Sequence, residues 1–310
     1  MKNFFTLLIA ALFFVTMPAQ AQKPMQNVWN KDFLSINSND SVEKFYDSLP
    51  KAKGDYKSRV RPLLLEGAMN IETEVLIRAL KNPVAYNELN YLFVAGTYKN
   101  YPVVVVRTEI GTINAGAATA LAIKKFNPVA VINQGTAGGY GYDLKVGDIV
   151  IGERTFNRNT FKLSYSPAGA GIDMTKQEML GVRAYDATND KFQPYKEFIA
   201  DPTLLNIAFK VANAHEEFNA VSGVLGTGDS WLENVDYTNF LHETYGSSCE
   251  EMETNAVAAI CQNASIPFIG IRVISNNTEL RAAFDKNAAK IGQDFVLLVA
   301  ENYINDILKR

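Results

Sequence analysis

Cysteine, histidine and tryptophan each occur only twice in this chain of 310 residues, and each scarcity removes a class of function. Cys249 and Cys261 cannot build a disulfide framework, and Cys261 falls on the apolar side of an expected helix, so both read as small buried residues. His215 and His242 stand far apart, with no HExxH or paired-cysteine spacing, which speaks against a zinc site. No basic run occurs, and 30 Lys and Arg against 33 Asp and Glu give a formal charge of −3, a balance that argues against nucleic acid as a partner. No repeat and no low-complexity tract is present, and no apolar run reaches the ~20 residues that a spanning helix needs.

Residues 1–21 have the make-up of a secretory leader. Lys2 precedes an apolar run from Phe4 to Val15, and Ala19-Gln20-Ala21 has the small-x-small pattern of a cleavage site. The expectation is an exported protein, periplasmic or secreted, with no membrane attachment once the leader is cut. Residues 22–59 are polar and punctuated and read as an N-terminal extension with one short helix around Val42 to Leu49. Residues 60–310 read as one domain, nearly half hydrophobic, with ample chain for a buried core.

Within that domain, strand and helix patterns alternate. A strand is expected over 61–66, a helix over 71–80 stopped by Asn82-Pro83, and a strand pair over 89–98 and 102–108. An alanine-rich helix over 114–126 leads to a strand over 129–133 and a glycine turn, Gln134-Gly135-Thr136-Ala137-Gly138-Gly139, of the kind that lets backbone approach a ligand. A strand closes at Ile151. Residues 154–202 read as long polar loops that border a pocket. A helix over 202–217, a strand over 220–225, a helix over 235–245, a strand over 267–274 and an amphipathic helix over 282–308 complete the pattern. Alternation with one hairpin predicts an α/β fold, a three-layer α/β/α sandwich with a mixed central sheet.

The stretch CEEMETNAVAAICQNASIPFIGIRVISNNTEL, from Cys249 to Leu280, concentrates the polar groups. Its acids Glu250, Glu251 and Glu253 precede a small-residue helix, where they either complement the helix N-terminus or serve a site. Arg272 lies inside an apolar strand and requires a partner, for which Glu253 is one candidate. Ser275, Asn276 and Asn277 stand at that strand's carboxyl end, where ligands of open α/β sheets bind. Trp231, in GTGDSW, either fills the core or offers an aromatic face.

Taken in order, GAMNIETEVL, EIGTINAGAAT, VINQGTAGGYGYDLKVGDIVI, GTGDSW, EEMETNAVA and PFIGIRVISN resemble the purine nucleoside phosphorylase and nucleosidase superfamily over about Leu64 to Leu280. The resemblance is strongest to the 5′-methylthioadenosine/S-adenosylhomocysteine nucleosidases, and secreted plant storage proteins are further relatives. It implies hydrolysis of the N-glycosidic bond of a purine nucleoside, with no metal or organic cofactor, by a homodimer that completes its pocket across subunits. It implies Glu72 as the carboxylate that activates water, with Glu74 a shifted alternative. It implies Glu253 as acceptor for both ribose hydroxyls, Met252 against the sugar, Trp231 stacked on the purine and the Leu232 backbone at its edge. Thr136 and Arg272 match positions near the nucleophile and the sugar.

Two positions depart from the family's patterns. Where the phosphorylases carry a GDPxR-type phosphate loop, this chain has GAMNIE, whose carboxylate would repel phosphate, so hydrolysis is favoured over phosphorolysis. Where the nucleosidases keep a proton-donating aspartate, this chain has Asn276, which can donate a hydrogen bond to purine N7 but cannot transfer a proton. Two expectations follow from that amide: a preference for 6-oxopurine nucleosides, or a catalytically weakened purine-nucleoside-binding, storage-like protein.

Overall fold

A computed structural model describes residues 60–308. The expected leader, extension and short helix around Val42 to Leu49 lie outside the described residues.

The described residues form fourteen strands and six α-helices. β1 (Leu63–Gly67) is a wholly buried strand, apolar but for Glu66, and two residues separate it from α1 (Asn70–Arg78). β2 (Lys81–Glu88), β3 (Tyr91–Tyr98) and β4 (Tyr101–Arg107) form an antiparallel meander. β2 corrects the reading of Asn82-Pro83 as a plain stop: the strand lies at the sheet edge and its register shifts between Lys81 and Val84, where a proline without an N–H is tolerated.

After α2 (Thr112–Phe126) comes β5 (Ala130–Gly139), which corrects the expected glycine turn. The glycines continue the strand, because β14 pairs with it along its whole length. β6 (Ile149–Asn157) follows, then the short strands β7 (Phe161–Leu163), β8 (Gln177–Met179), β9 (Val182–Asp186), β10 (Lys191–Tyr195) and β11 (Phe198–Ile199). The chain continues through α3 (Pro202–Ala214), β12 (Ala220–Thr227), α4 (Val235–Tyr245), β13 (Ser247–Glu251), α5 (Thr254–Ala264), β14 (Phe268–Asn277) and α6 (Ala288–Tyr303), and ends in a π-helical turn, Ile304–Leu308.

The sheet is mixed, as expected. β1 pairs in parallel with β4 and β5, and β12 with β6 and β13. β13 pairs antiparallel to β5, while β14 lies parallel to β5 and antiparallel to β6. β5, β14, β6, β12 and β13 thus pair in a ring, so one part of the sheet closes on itself. α2 and α5 pack together on one face; α1 and α3 pack on α6 on the other. The core between β-branched strands and the alanines of α2 and α5 includes Phe93, Phe126 and Phe268. Cys249 and Cys261 are both free and buried. No helix among the described residues is long and apolar enough to cross a membrane.

Candidate active site

Strands β1, β5, β12, β13 and β14 run their carboxyl ends, or the turns just after them, toward one cavity of about 380 Å³. That volume lies in the range of small-molecule sites. Its lining brings together Glu72, Thr136, Trp231, Met252, Glu253 and Asn276, which are spread over more than two hundred positions of sequence.

Glu72 occupies the third position of α1, where the first backbone N–H groups lack helical partners. Its Oε2 accepts the N–H groups of Ala68 (3.0 Å) and Met69 (2.9 Å). Its Oε1 accepts the Thr136 N–H (2.7 Å) and hydroxyl (2.9 Å). The acid therefore completes the helix start and faces the cavity at once, the two readings being compatible. Gly135 makes room for it: a Cβ there would stand 3.1 Å from Glu72 Oε1. Glu74 turns away and binds Arg78 at 2.9 Å.

The acidic cluster divides its labour. Glu251, the last residue of β13, caps α5 by accepting the N–H groups of Glu253 (3.0 Å) and Thr254 (2.8 Å) and the Thr254 hydroxyl (2.7 Å). It is also the nearer partner of Arg272, whose Nη2 lies 2.7 Å from Glu251 and 3.6 Å from Glu253. Relieved of capping, Glu253 accepts the Gly111 N–H at 2.9 Å and lines the cavity. Gly111 sits at φ 98°, and a Cβ there would lie 2.9 Å from an Asp229 oxygen, so the approach requires glycine.

Arg272 is sealed behind the cavity wall, where its Nη2 also donates to Asn133 Oδ1 at 2.7 Å. It lines no part of the cavity; it acts on the carboxylates from behind. Burial works to raise Glu251, but Arg272 and the Thr227 and Thr254 donors outweigh it and leave this acid below its ordinary value. Glu253 goes the other way: burial, then the Glu251 charge, push it up to about 8 against the pull of Arg272. An acid beside another acid resists a second ionisation.

Asn276, the last residue but one of β14, also lines the cavity. Its Oδ1 accepts the Ser275 hydroxyl at 2.9 Å, and its amide nitrogen lies over Gly138, 3.1 Å from where a Cβ would stand. Trp231 is 56% exposed, so the core position is excluded; the indole stands at the mouth, edge-on to Phe284 with ring centroids 6.1 Å apart. Leu232 does not line the cavity, and its N–H donates to Glu250 Oε1 at 2.9 Å.

Glu250 is the lining residue whose part the sequence did not reveal. It reads as one of a run of capping acids, yet it is buried in β13 and faces the cavity. The signal is the strand itself: in SSCEE, Glu250 and Glu251 belong to β13 rather than to the start of the following helix. Residues 154–202 contribute nothing to the lining, which corrects the expectation that these loops border the pocket. Instead β9 and α5 are joined there, Asn263 Oδ1 accepting the Tyr185 N–H at 2.7 Å.

The lining holds Glu72, Glu250, Glu251 and Glu253 and, among the described residues, no Lys, Arg or His. No group of His, Cys, Asp or Glu among the described residues is placed to hold a metal ion.

The pattern of the phosphorylase superfamily matches residues 63–304. A 5′-methylthioadenosine/S-adenosylhomocysteine nucleosidase of Shewanella sediminis is 32% identical over 236 residues, a match covering 75% of this chain and 94% of that protein. The crystal structure of such a nucleosidase from Neisseria meningitidis, in complex with methylthio-immucillin-A, superposes with a TM-score of 0.63 at 25% identity, covering 78% of this chain and 99% of that one. The futalosine hydrolase of Helicobacter pylori shares the fold, with a TM-score of 0.63 at 22% identity over 78% of this chain and 98% of its own. With the pattern running through nearly all of the described domain, and every cavity wall built from it, this chain belongs to the phosphorylase superfamily, among the 5′-methylthioadenosine/S-adenosylhomocysteine nucleosidases.

Proposed function

We propose that this chain hydrolyses the N-glycosidic bond of a purine nucleoside carrying an apolar 5′ group, such as methylthioadenosine, and releases the free base and the sugar. The observation that carries this reading is the make-up of the cavity: four acidic side chains line it and no Lys, Arg or His does, so a phosphate dianion finds no cationic partner there, whereas water as nucleophile needs none.

Each step falls to a residue on the cavity wall. Glu253 meets the two ribose hydroxyls with its two oxygens, both of them acceptors in the ionised form. Glu72 takes a proton from water as that water adds to C1′, while the C1′–N9 bond breaks through an oxocarbenium-like state. Met252 packs against the sugar, and Met69, Ile110 and Phe284 supply an apolar border for the 5′ group. Trp231 closes over the purine, and the Asn276 amide donates a hydrogen bond to a ring nitrogen.

Base release from methylthioadenosine, adenosine and inosine, measured with and without phosphate, tests the reading. It expects release that is indifferent to phosphate. Acceleration by phosphate would establish phosphorolysis instead, and ligand binding without release would establish a storage-like binder.

The reading includes export and dimerisation. The leader-like residues 1–21 support export, tested by a mature N-terminus at Gln22 in the exported fraction. Exposed Ile110, which lines the cavity, and exposed Ile113, three residues on, support a partner copy over that edge. A sedimentation mass of one chain would contradict the dimer.

A further inference from the structure

The cavity contains a carboxyl group that the reaction above leaves without a task, beside the amide that cannot do an acid's work. Resting on the nucleosidase reading, we propose that Glu250 is a catalytic residue, the general acid that gives the departing purine its proton in place of Asn276.

Placement carries the proposal. Gly138 of β5 pairs with Glu250 of β13 on one side and with Asn276 of β14 on the other. A Cβ at Gly138 would stand 3.1 Å from Asn276 Nδ2 and 3.2 Å from Glu250 Oε1, so both side chains reach over one glycine toward the cavity they line. Glu250 Oε1 accepts the N–H of Leu232, next to the indole that borders the base. Amide and carboxyl therefore meet over Gly138, two residues along β5 from Thr136, whose N–H and hydroxyl hold Glu72.

The surroundings suit an acid that must both hold and lose a proton near neutrality. Burial pushes Glu250 up to about 7, against the opposing pull of Arg158, of the Leu232 N–H and of the Tyr140 hydroxyl. Arg158, just beyond β6, places Nη2 3.6 Å from Oε2. Tyr140, just past β5, places its hydroxyl 3.4 Å away. Glu279, beyond β14, raises the group further, and Glu72, Glu251 and Glu253 share the same cavity. A catalytic acid is most effective when its pKa lies near the working pH. Arg158 is itself 1% exposed and is held by the carbonyls of Gly228 and Ser230, so it stays in position to receive the carboxylate once the proton has gone.

In the step, the Glu250 carboxyl proton moves to a purine ring nitrogen as the C1′–N9 electron pair withdraws into the base. Water adds to C1′ and gives its proton to Glu72. Glu250 is left as carboxylate, and solvent returns a proton from Glu72 to Glu250. Nucleoside and water have become base and sugar, with no other reactant.

The test compares a purine nucleoside with 4-nitrophenyl riboside, whose nitrophenolate leaves without protonation, in the wild type, Glu250→Gln and Glu250→Gln with Asn276→Asp. Wild-type kcat/KM on the purine nucleoside is expected to fall above about pH 7. Glu250→Gln is expected to lose roughly 10²–10⁴-fold on the purine substrate, with that alkaline fall abolished. Its loss on the nitrophenyl riboside should be at least about tenfold smaller, and the double variant should regain purine release. Equal losses on both substrates would make Glu250 a structural partner of Arg158 and overturn the proposal, as would a variant that keeps the wild-type rate and pH profile. Absence of purine release by the wild type would overturn the nucleosidase reading, and this proposal with it.

Discussion

Glu66 offers a prediction that needs no substrate. It lies in β1, fully buried, with the Thr119 hydroxyl 3.0 Å from one oxygen and Asn133 Nδ2 3.5 Å from the other. Burial pushes its carboxyl up to about 8, more than those donors and the Arg272 charge pull it down. The unfolded chain holds a glutamate near its ordinary value of about 4.3. Between these values the folded state binds more proton than the unfolded one, so this group makes the protein less stable as pH rises, and the loss is complete once pH passes the folded value. Each pH unit in that window is worth about 1.4 kcal/mol, so from pH 5 to pH 8 the full effect is about 4 kcal/mol, an upper bound because burial is relieved by local relaxation. Glu66→Gln keeps the shape of the protonated acid and removes the titration. Urea unfolding of both proteins at pH 5, 6, 7 and 8 should show the variant gaining on the wild type with each unit, by up to about 1.4 kcal/mol. Parallel stability curves across that range would refute the reasoning, because they would mean that Glu66 ionises without cost where it stands.

The other predictions concern the site's frame. Arg272→Met leaves Glu251 buried beside Glu253 without its 2.7 Å partner and should cost about 3–5 kcal/mol in denaturant unfolding; a loss below about 1 kcal/mol would remove this ion pair from the account. Trp231→Ala, at an exposed position, should leave thermal stability within about 1 kcal/mol while raising KM for a purine nucleoside roughly tenfold; a fall in kcat with KM unchanged would place the indole outside the base subsite.

The fold was legible because its strongest signals are local. Apolar β4, alanine-rich α2 and the alternation of strand and helix announce a mixed α/β sandwich without any tertiary information. β2 was hidden by Pro83, since an edge strand and a helix stop look alike until the neighbour is known. β5 was cut short at its glycines because a glycine run reads as a turn, whereas here the missing side chains leave space for Glu72, Asn276 and Glu250. The candidate site was legible as a set of ordered motifs, and Glu72, Thr136, Trp231, Met252, Glu253 and Asn276 do meet at one cavity. What escaped was the division of work inside the acidic cluster. Tertiary contacts alone show that Glu251 takes the arginine and the helix cap, that Glu253 lines the cavity, and that Glu250 pairs over Gly138 next to Asn276.

The central claim is that Glu72 activates water at a sugar that Glu253 holds. Glu72→Gln and Glu253→Gln, each compared with the wild type for binding of a purine nucleoside by calorimetry and for its turnover, test it most directly. The account predicts that Glu72→Gln keeps affinity within a few-fold while turnover falls roughly 10²–10⁴-fold, and that Glu253→Gln loses affinity. Wild-type turnover in Glu72→Gln would contradict it.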